Sequence, residues 1–176
     1  ISPEPTAFAR TSTTDGNIFL AGHYEPETTY TVTLAAGATV DDYYGVTFTN
    51  PEAIELSFKT QPIAITGTSP ADDGRISKPT PMSETRVVLA FNQSMDPASI
   101  EASEVEFSGG AAVGTPVASG CGPVSTSCSI WIPTAEPLAP GSYSFTLKAG
   151  ATIEDVLGNV YTQAMDRVIN FTVVDA

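Results

Sequence analysis

The sequence predicts an all-β chain made of two β-sandwich units in tandem, the first of them incomplete at its N-terminus. Three observations carry this prediction: stretches in which apolar and polar residues alternate, turn residues between these stretches, and an internal repeat. Hydrophobic residues make up 41% of the chain, which is enough for packed cores. Helical periodicity is absent, except for one turn that we expect at residues 97–100 after Asp96 as N-cap.

Alternating apolar side chains mark the strands. In residues 85–91, Val87, Leu89 and Phe91 share one face of an extended chain. Further segments with a strand-like pattern are 18–20, 30–34, 54–58, 143–147 and 168–174. Predicted turns are 15–17, 109–110, 140–141 and 158–159. Short strands at a spacing of roughly 8–12 residues are typical of a sandwich.

Residues 30–58 and 143–171 are two copies of one sequence at a constant offset of 113. Eleven of the 29 aligned positions are identical, where chance predicts about two. We therefore expect two domains, 1–63 and 64–176, of which only the second is a complete copy. About 50 residues at the start of the first copy have no counterpart. Its open sheet edge would be covered by upstream chain or by strand exchange with another molecule.

Net charge restricts the partners. The chain carries 20 acidic and 7 basic residues, for a net charge of −13. Nucleic acids and anionic membranes both require a basic face, and Arg10 and Lys59 are the only bases in the first 63 residues. No apolar run reaches the ~20 residues that span a bilayer, so we expect no nucleic acid and no membrane insertion. The chain has no initiator Met and begins at Ile1 in the middle of a sequence pattern, which indicates an excerpt or a processed product.

Two cysteines stand between strand-like stretches. Cys121 and Cys128 enclose six residues, and a turn between them would bring the sulfurs together across a hairpin base. We expect a disulfide that adds ~2–3 kcal/mol, with two free thiols or a metal site as the alternatives. A disulfide implies export to an extracellular, cell-surface or periplasmic location.

Four motifs in the second unit match one family in combination. They are residues 68–74 (TSPADDG), 89–100 (LAFNQSMDPASI), 138–143 (LAPGSY) and 155–159 (DVLGN). Residues 66–176 thereby resemble the bacterial Ig-like domains of S-layer and other large surface proteins. The resemblance implies tandem immunoglobulin-like sandwiches that act as spacers, stalks or adhesive segments. It carries over no shared catalytic residues.

The first unit keeps fewer of these motifs. It has residues 26–30 and 42–45, but Val46 stands where the family has Asn. Residues 1–50 also resemble, more weakly, the early macroglobulin-type domains of bacterial alpha-2-macroglobulins. No Cys-Gly-Glu-Gln motif is present, so any trapping chemistry of such an inhibitor would lie elsewhere.

Candidate catalytic and metal-binding residues are few. A Ser–His pair could use only His23, and no G-x-S-x-G elbow is present, so we expect no enzyme. Calcium binding is the most specific role that the paired carboxylates suggest, because Ca²⁺ is bound by hard oxygen ligands from loops. The candidates for such a weak site are Asp72, Asp73, Glu154 and Asp155. No D-x-D-x-D-G run is present and solvated turn acids are the simpler interpretation, so no cofactor is predicted.

Aromatic residues supply the remaining candidates. Tyr143 follows Pro-Gly-Ser at the start of a strand, the place of a tyrosine corner, and Tyr30 holds the matching place in the first unit. We expect the Tyr143 ring in the core and its hydroxyl on a backbone group near residues 136–138. Tyr43, Tyr44 and Trp131 are the candidates for ligand stacking. The side chain of Trp131 lies opposite those of its neighbours in the strand, so its role depends on which sheet face is wet.

The sequence thus predicts a non-catalytic structural or adhesive module within a large cell-surface or secreted bacterial protein. One alternative is a carbohydrate- or protein-binding accessory module of a secreted enzyme. Another is the front end of a macroglobulin-like protease inhibitor. The expected partners are neighbouring domains of the same polypeptide, another protein or a surface glycan, and a second copy in a strand-exchanged oligomer.

Overall fold

A computed structural model describes residues 1–12, 18–77, 84–122, 125 and 127–175. The chain divides into two compact units, unit 1 (Ile1–Pro62) and unit 2 (Ile63–Ala176). Within the described residues the regular elements are sixteen β-strands and two short 3-10 turns. The turn predicted at residues 15–17 lies outside the described part of the chain.

The described residues of unit 1 form six strands in three antiparallel ladders. The strands are β1 (Thr6–Ser12), β2 (Ile18–His23), β3 (Thr29–Leu34), β4 (Thr39–Asp41), β5 (Thr47–Thr49) and β6 (Ile54–Lys59). The hydrogen-bonded pairs are β1–β2, β3–β6 and β4–β5.

In unit 2 the described residues form ten strands and both 3-10 turns. The strands are β7 (Ile65–Ser69), β8 (Gly74–Ser77), β9 (Arg86–Phe91), β10 (Val105–Phe107), β11 (Val117–Ser119), β12 (Cys128–Pro133), β13 (Gly141–Leu147), β14 (Thr152–Glu154), β15 (Val160–Thr162) and β16 (Arg167–Val174). The turns are Pro97–Ser99 and Ser108–Gly110. As predicted, Asp96 caps the first of them, and its carboxylate accepts the Ala98 N–H at 2.9 Å.

Two four-stranded sheets of unit 2 enclose one core, which confirms the predicted β-sandwich. Their strand orders are β11-β12-β9-β7 and β10-β13-β16-β8, and β14–β15 is a separate ladder. Alternation along each strand turns every second side chain inward. The inward side chains form one cluster: Val87, Leu89, Phe91, Ile130 and Ile132 from the first sheet and Val105, Phe107, Phe145, Leu147, Ile169, Phe171 and Val173 from the second. Each contributes about 1.5–3 kcal/mol by its burial.

The segment between β7 and β8 carries the chain from one sheet to the other, and it explains the first family motif. Gly74 has no room for a side chain, since a Cβ there would lie 2.6 Å from the Ala71 carbonyl oxygen. Asp73 adopts a φ of 60°, and its N–H donates to the Asn170 carbonyl at 2.8 Å. The turn is thereby tied directly to β16.

Strand pairing in unit 1 recurs in unit 2 at the offset of 113 residues. Equivalent pairs are Tyr30–Phe58 and Tyr143–Phe171, Leu34–Ile54 and Leu147–Arg167, and Thr39–Thr49 and Thr152–Thr162. The ladders β3–β6 and β4–β5 therefore have the same register as β13–β16 and β14–β15. The two units share backbone geometry as well as sequence over this region.

Candidate functional site

Two of the family motifs meet in unit 2 and hold each other. The chain leaves β9 at Phe91 and runs to the turn Pro97–Ser99, while β14 leads into the turn that ends at Asn159. Met95 forms an antiparallel bridge with Asp155, and the Asp96 N–H donates to the Glu154 carbonyl at 2.8 Å. We call these contacts the motif junction.

The side chain of Asp155 lies at the centre of the motif junction, with 2% of its surface exposed. Its Oδ1 accepts the backbone N–H groups of Leu157 and Asn159, each at 2.8 Å. Its Oδ2 accepts the Asn159 side-chain amide at 2.9 Å and the Gln93 side-chain amide. A buried carboxylate is tolerable only with such donors, so the D-x-x-G-N motif together with Gln93 forms a cage of donors around Asp155.

The geometry argues against the four weak calcium candidates acting as one site. Both oxygens of Asp155 already accept N–H donors, and those donors occupy the directions a cation would need. Asp72 is bonded instead to Asn170. In the part of the chain that the structure describes, no three acidic, His or Cys side chains are grouped for a metal ion. The structure therefore does not bring Asp72 and Asp73 together with Glu154 and Asp155 as one metal site.

Asp72 is an exposed acid with a structural partner. Its Oδ1 accepts the Asn170 backbone N–H at 2.8 Å and the Asn170 side-chain amide at 3.1 Å. The backbone bond, followed by the amide bond, lowers the pKa of Asp72 below its usual value. Its carboxylate is thus held against β16.

Cys121 and Cys128 form a disulfide, and their Cα atoms lie 4.6 Å apart. The bond joins the segment after β11 to the first residue of β12. Cys128 belongs to the buried core, whereas Cys121 is half-buried. The Met95 N–H points to the Cys128 sulfur at 3.4 Å, so the disulfide borders the motif junction.

The two equivalent tyrosines differ in burial. The Tyr143 hydroxyl donates to the Ala139 carbonyl at 3.1 Å, one residue past the predicted range, and its ring is only half-buried against Phe171. Tyr30 is 1% exposed and accepts the Glu25 N–H at 2.8 Å. Its ring also packs edge-on against Tyr24. The corner expected at Tyr143 is therefore at the edge of the core, near the exposed start of β13.

Trp131 lies on the outer face of its sheet and is half-buried. The guanidinium carbon of Arg86 sits 3.8 Å from the ring centroid, a cation–π contact. Arg86 thus covers the ring face that a sugar would need. Tyr43 and Tyr44, by contrast, are 92% and 87% exposed and meet edge to face at 5.5 Å.

Some structural side chains were not singled out from the sequence. Gln93 reaches Asp155 across 62 positions, and Thr85 Oγ1 accepts the Leu138 N–H at 3.1 Å across 53. The only available signal for Gln93 was its place inside the second family motif. His23, the one candidate base, is buried.

The fold and the motif junction define unit 2 as an immunoglobulin-like β-sandwich. The model of the bacterial Ig-like domain family matches residues 59–173, and the chain belongs to that family. The match does not extend to residues 1–50, so their weaker macroglobulin resemblance stays a prediction.

Other comparisons add little. A search of curated proteins finds no match to the sequence. The crystal structure of the S-layer protein SbsC domains 4 and 5 aligns with 98% of this chain and 92% of that chain, at 9% identity and a TM-score of 0.27. No helix in the described residues is long and apolar enough to cross a membrane.

Replacing Asp155 by Ala should destabilise unit 2 by about 3 kcal/mol, because buried N–H donors lose a charged acceptor. Urea unfolding followed by the fluorescence of Trp131, the single Trp, reports unit 2 selectively. Glu154→Ala is the matched control: its side chain is exposed, so a change within about 0.5 kcal/mol is expected. Equal losses in the two variants would contradict the role of the cage.

Removing the two tyrosine hydroxyls should have unequal effects. Tyr30→Phe removes the oxygen that accepts the Glu25 N–H, so we expect unit 1 to lose about 1 kcal/mol of stability. Amide hydrogen exchange in β3 measures this loss. Tyr143→Phe should cost under about 0.5 kcal/mol by Trp131 fluorescence, since water can replace the bond at an exposed site. A larger loss for Tyr143→Phe would reverse this assignment.

Proposed function

We propose that the chain is a non-catalytic structural module of a large cell-surface or secreted bacterial protein, and that unit 2 bears tension. Membership of the bacterial Ig-like family supports a structural role. The Cys121–Cys128 disulfide supports a location outside the cytoplasm. The polar side chains of the family motifs are used to hold turns, as Asp155 and Asp96 do.

One observation carries the tension-bearing role: β8 and β16 are paired in parallel. Residues Gly74 to Ser77 lie beside Phe171 to Val174, and every other strand pair of the described sheets is antiparallel. β8 is the second strand of unit 2, after β7, and β16 is the last. The pair therefore links the beginning of the unit to its end.

Parallel pairing decides how these hydrogen bonds meet a load. Force from the preceding chain first meets β7, which is paired with β9, and reaches the N-terminal end of β8 once β7 has separated from β9. Force from the following chain pulls β16 through its C-terminal end. In a parallel pair these are opposite ends, so the strands are sheared along their length. The bonds then resist together, whereas peeling would break them one at a time. A unit in series with others gains mechanical resistance from this arrangement.

Asp72 extends the clamp formed by β8 and β16. Its carboxylate accepts the Asn170 N–H, and the neighbouring Asp73 N–H donates to the Asn170 carbonyl. Asn170 immediately precedes Phe171, the first β16 residue paired with β8. Asp72 therefore reinforces the end of the clamp that a pull on β8 loads first.

Single-molecule force spectroscopy of the full chain tests this role. Asp72→Ala should lower the unfolding force of unit 2, because it removes bonds on the loaded path. Asp96→Ala is the matched control, since it also removes an exposed carboxylate that accepts a backbone N–H, but away from β8 and β16. Equal forces for the two variants would reject the clamp.

The pH dependence of the same experiment has a defined sign. Because its folded pKa is lowered, Asp72 strengthens the folded state above the unfolded pKa of about 3.9. That contribution disappears as the pH falls through the lower, folded pKa. The force difference between wild type and Asp72→Ala should therefore hold from pH 7 to about 4 and close below it.

An adhesive role is the second candidate, and the exposed Tyr43–Tyr44 pair favours it. Two large aromatic rings at a turn tip offer stacking surface to a glycan or a protein. Binding of the chain to glycan and protein arrays should then fall at least tenfold in Tyr43→Ser/Tyr44→Ser and persist in Tyr43→Phe/Tyr44→Phe. The absence of saturable binding by wild type would leave the structural role alone.

A further inference from the structure

The outer face of one sheet in unit 2 carries a groove with a volume of about 510 Å³. Its lining comes from residues on or beside all four strands of the sheet β10-β13-β16-β8. This volume lies within the ~300–1,000 Å³ of typical small-molecule sites. We call it the polar groove, after the side chains Asp73, Arg75, Ser108, Ser142, Ser144, Asn170 and Thr172 that line it.

One row of polar side chains crosses the strands of the polar groove. Thr172 stands between the core residues Phe171 and Val173 in β16, so its side chain faces away from the core. Thr172 is paired with Ser142 of β13 on one side and with Arg75 of β8 on the other. The two hydroxyl groups and the guanidinium therefore share one face of the sheet.

A second row lies beside the first. Ser144 is paired with Asn170 across β13 and β16, and the Ser144 N–H donates to the Ser108 hydroxyl oxygen at 2.8 Å. Beyond Asn170 the row reaches Asp73, whose N–H donates to the Asn170 carbonyl. The polar groove thus has hydroxyl groups on the side of β10 and β13, and one carboxylate and one guanidinium at its β8 end.

Several of these groups are not used within the protein. Among the described residues, the hydroxyls of Ser142, Ser144 and Thr172 and the guanidinium of Arg75 make no hydrogen bond or ion pair. Each hydroxyl can both donate and accept, and the guanidinium can only donate. A few polar groups that converge in a concave site are what fixes the orientation of a small ligand.

Unit 1 uses the equivalent positions differently. At the offset of 113, Thr31 and Ser57 are the counterparts of Ser144 and Asn170, and their hydroxyl oxygens lie 2.9 Å apart in a hydrogen bond. In unit 2 the Asn170 side-chain amide instead donates to Asp72 at 3.1 Å. The Ser144 hydroxyl is thereby left for another partner, which makes the feature specific to unit 2.

We propose that the polar groove binds a neutral carbohydrate. Sugar hydroxyls both donate and accept, so they match the row of protein hydroxyls group by group. At the β8 end, the Arg75 guanidinium donates to sugar oxygens and the Asp73 carboxylate accepts from sugar hydroxyls. This site is separate from the exposed Tyr43–Tyr44 pair, which belongs to unit 1.

Other small ligands fit the polar groove less well. An anion would meet a single guanidinium with the carboxylates of Asp72 and Asp73 beside it. A metal ion would be repelled by Arg75, and no three acidic, His or Cys side chains are grouped in the described part of the chain. An apolar ligand would strip water from the hydroxyls without replacing its hydrogen bonds.

An extended peptide is excluded by the topology of the sheet. Peptides add to a sheet through a free strand edge. The two strands in the middle of the polar groove, β13 and β16, are each paired on both sides. Only side chains are therefore offered to a ligand there.

Titration of the 176-residue chain with neutral oligosaccharides tests the proposal. The probes are maltopentaose, cellopentaose, laminaripentaose and the pentamer of N-acetylglucosamine, with the pentamer of galacturonic acid as the anionic comparison. Backbone amide shifts in NMR spectra locate the site and give the Kd. At least one neutral probe should shift the amides of residues 142–144 and 170–172 saturably, and the anionic probe should bind more weakly.

A double variant and a matched control connect binding to the polar groove. Arg75→Gln/Thr172→Val removes the charge and one hydroxyl and should raise the Kd at least ~10-fold. Thr162→Val is the control, because Thr162 is an exposed strand threonine of unit 2 outside the groove, and its Kd should equal that of wild type. Trp131 fluorescence verifies that unit 2 is folded in each variant.

Three results would overturn the proposal. The first is that no neutral probe binds saturably, and the second is that the anionic probe binds most tightly. The third is a double variant that binds as wild type does. If binding is then lost in Tyr43→Ser/Tyr44→Ser, the exposed tyrosines of unit 1 are the carbohydrate site instead.

Discussion

The sandwich of unit 2 depends on one buried carboxylate. Asp155 gathers two backbone N–H groups of its own turn and the side-chain amide of Gln93, which arrives from the segment after β9. A charge in that position is unfavourable without every one of these donors, so the turn and the distant segment stabilise each other. The hydrogen bond from the Asp96 N–H to the Glu154 carbonyl and the disulfide at Cys128 lie beside this buried carboxylate. The junction ties the β14–β15 ladder to the segment that follows β9.

The equivalent turn in unit 1 shows which features of the Asp155 turn follow from the local sequence and which depend on long-range contacts. Asp42 accepts the N–H groups of Tyr44 and Val46 at 2.9 and 2.8 Å, the same spacing as in the Asp155 turn. It does so while exposed, and Val46 offers no side-chain amide where unit 2 has Asn159. Turn geometry therefore follows from the local sequence alone. The buried carboxylate of unit 2 has a further donor in Gln93, which comes from the segment after β9 and not from the turn itself.

The same distinction explains what could be predicted from the sequence. Alternating residues such as Val87, Leu89 and Phe91 indicate strands directly, and the repeat transfers the register of β13–β16 to β3–β6, because both are properties of neighbouring positions. Contacts between distant segments leave no such trace. The placement of Arg86 over Trp131 and of Gln93 against Asp155 depends on which strands become neighbours. The Tyr143 corner was located by its turn, yet its half-exposure depends on where the core ends.

The motifs by which a sequence is assigned to this family have mechanical roles in the structure. Gly74 allows the sharp passage between the sheets, Asp72 fastens that passage to β16, and Asp155 joins the turns on the β9 side. The carboxylates of Asp72 and Asp155 both accept backbone N–H groups, so each motif acid holds a turn. The two copies of the repeat differ at this turn, where Tyr43 and Tyr44 stand in place of Val156 and Leu157, while both copies keep the Asp and the Gly of the motif. The motif residues thus make their bonds within the frame of unit 2, which is the arrangement that the tension-bearing role proposed above requires.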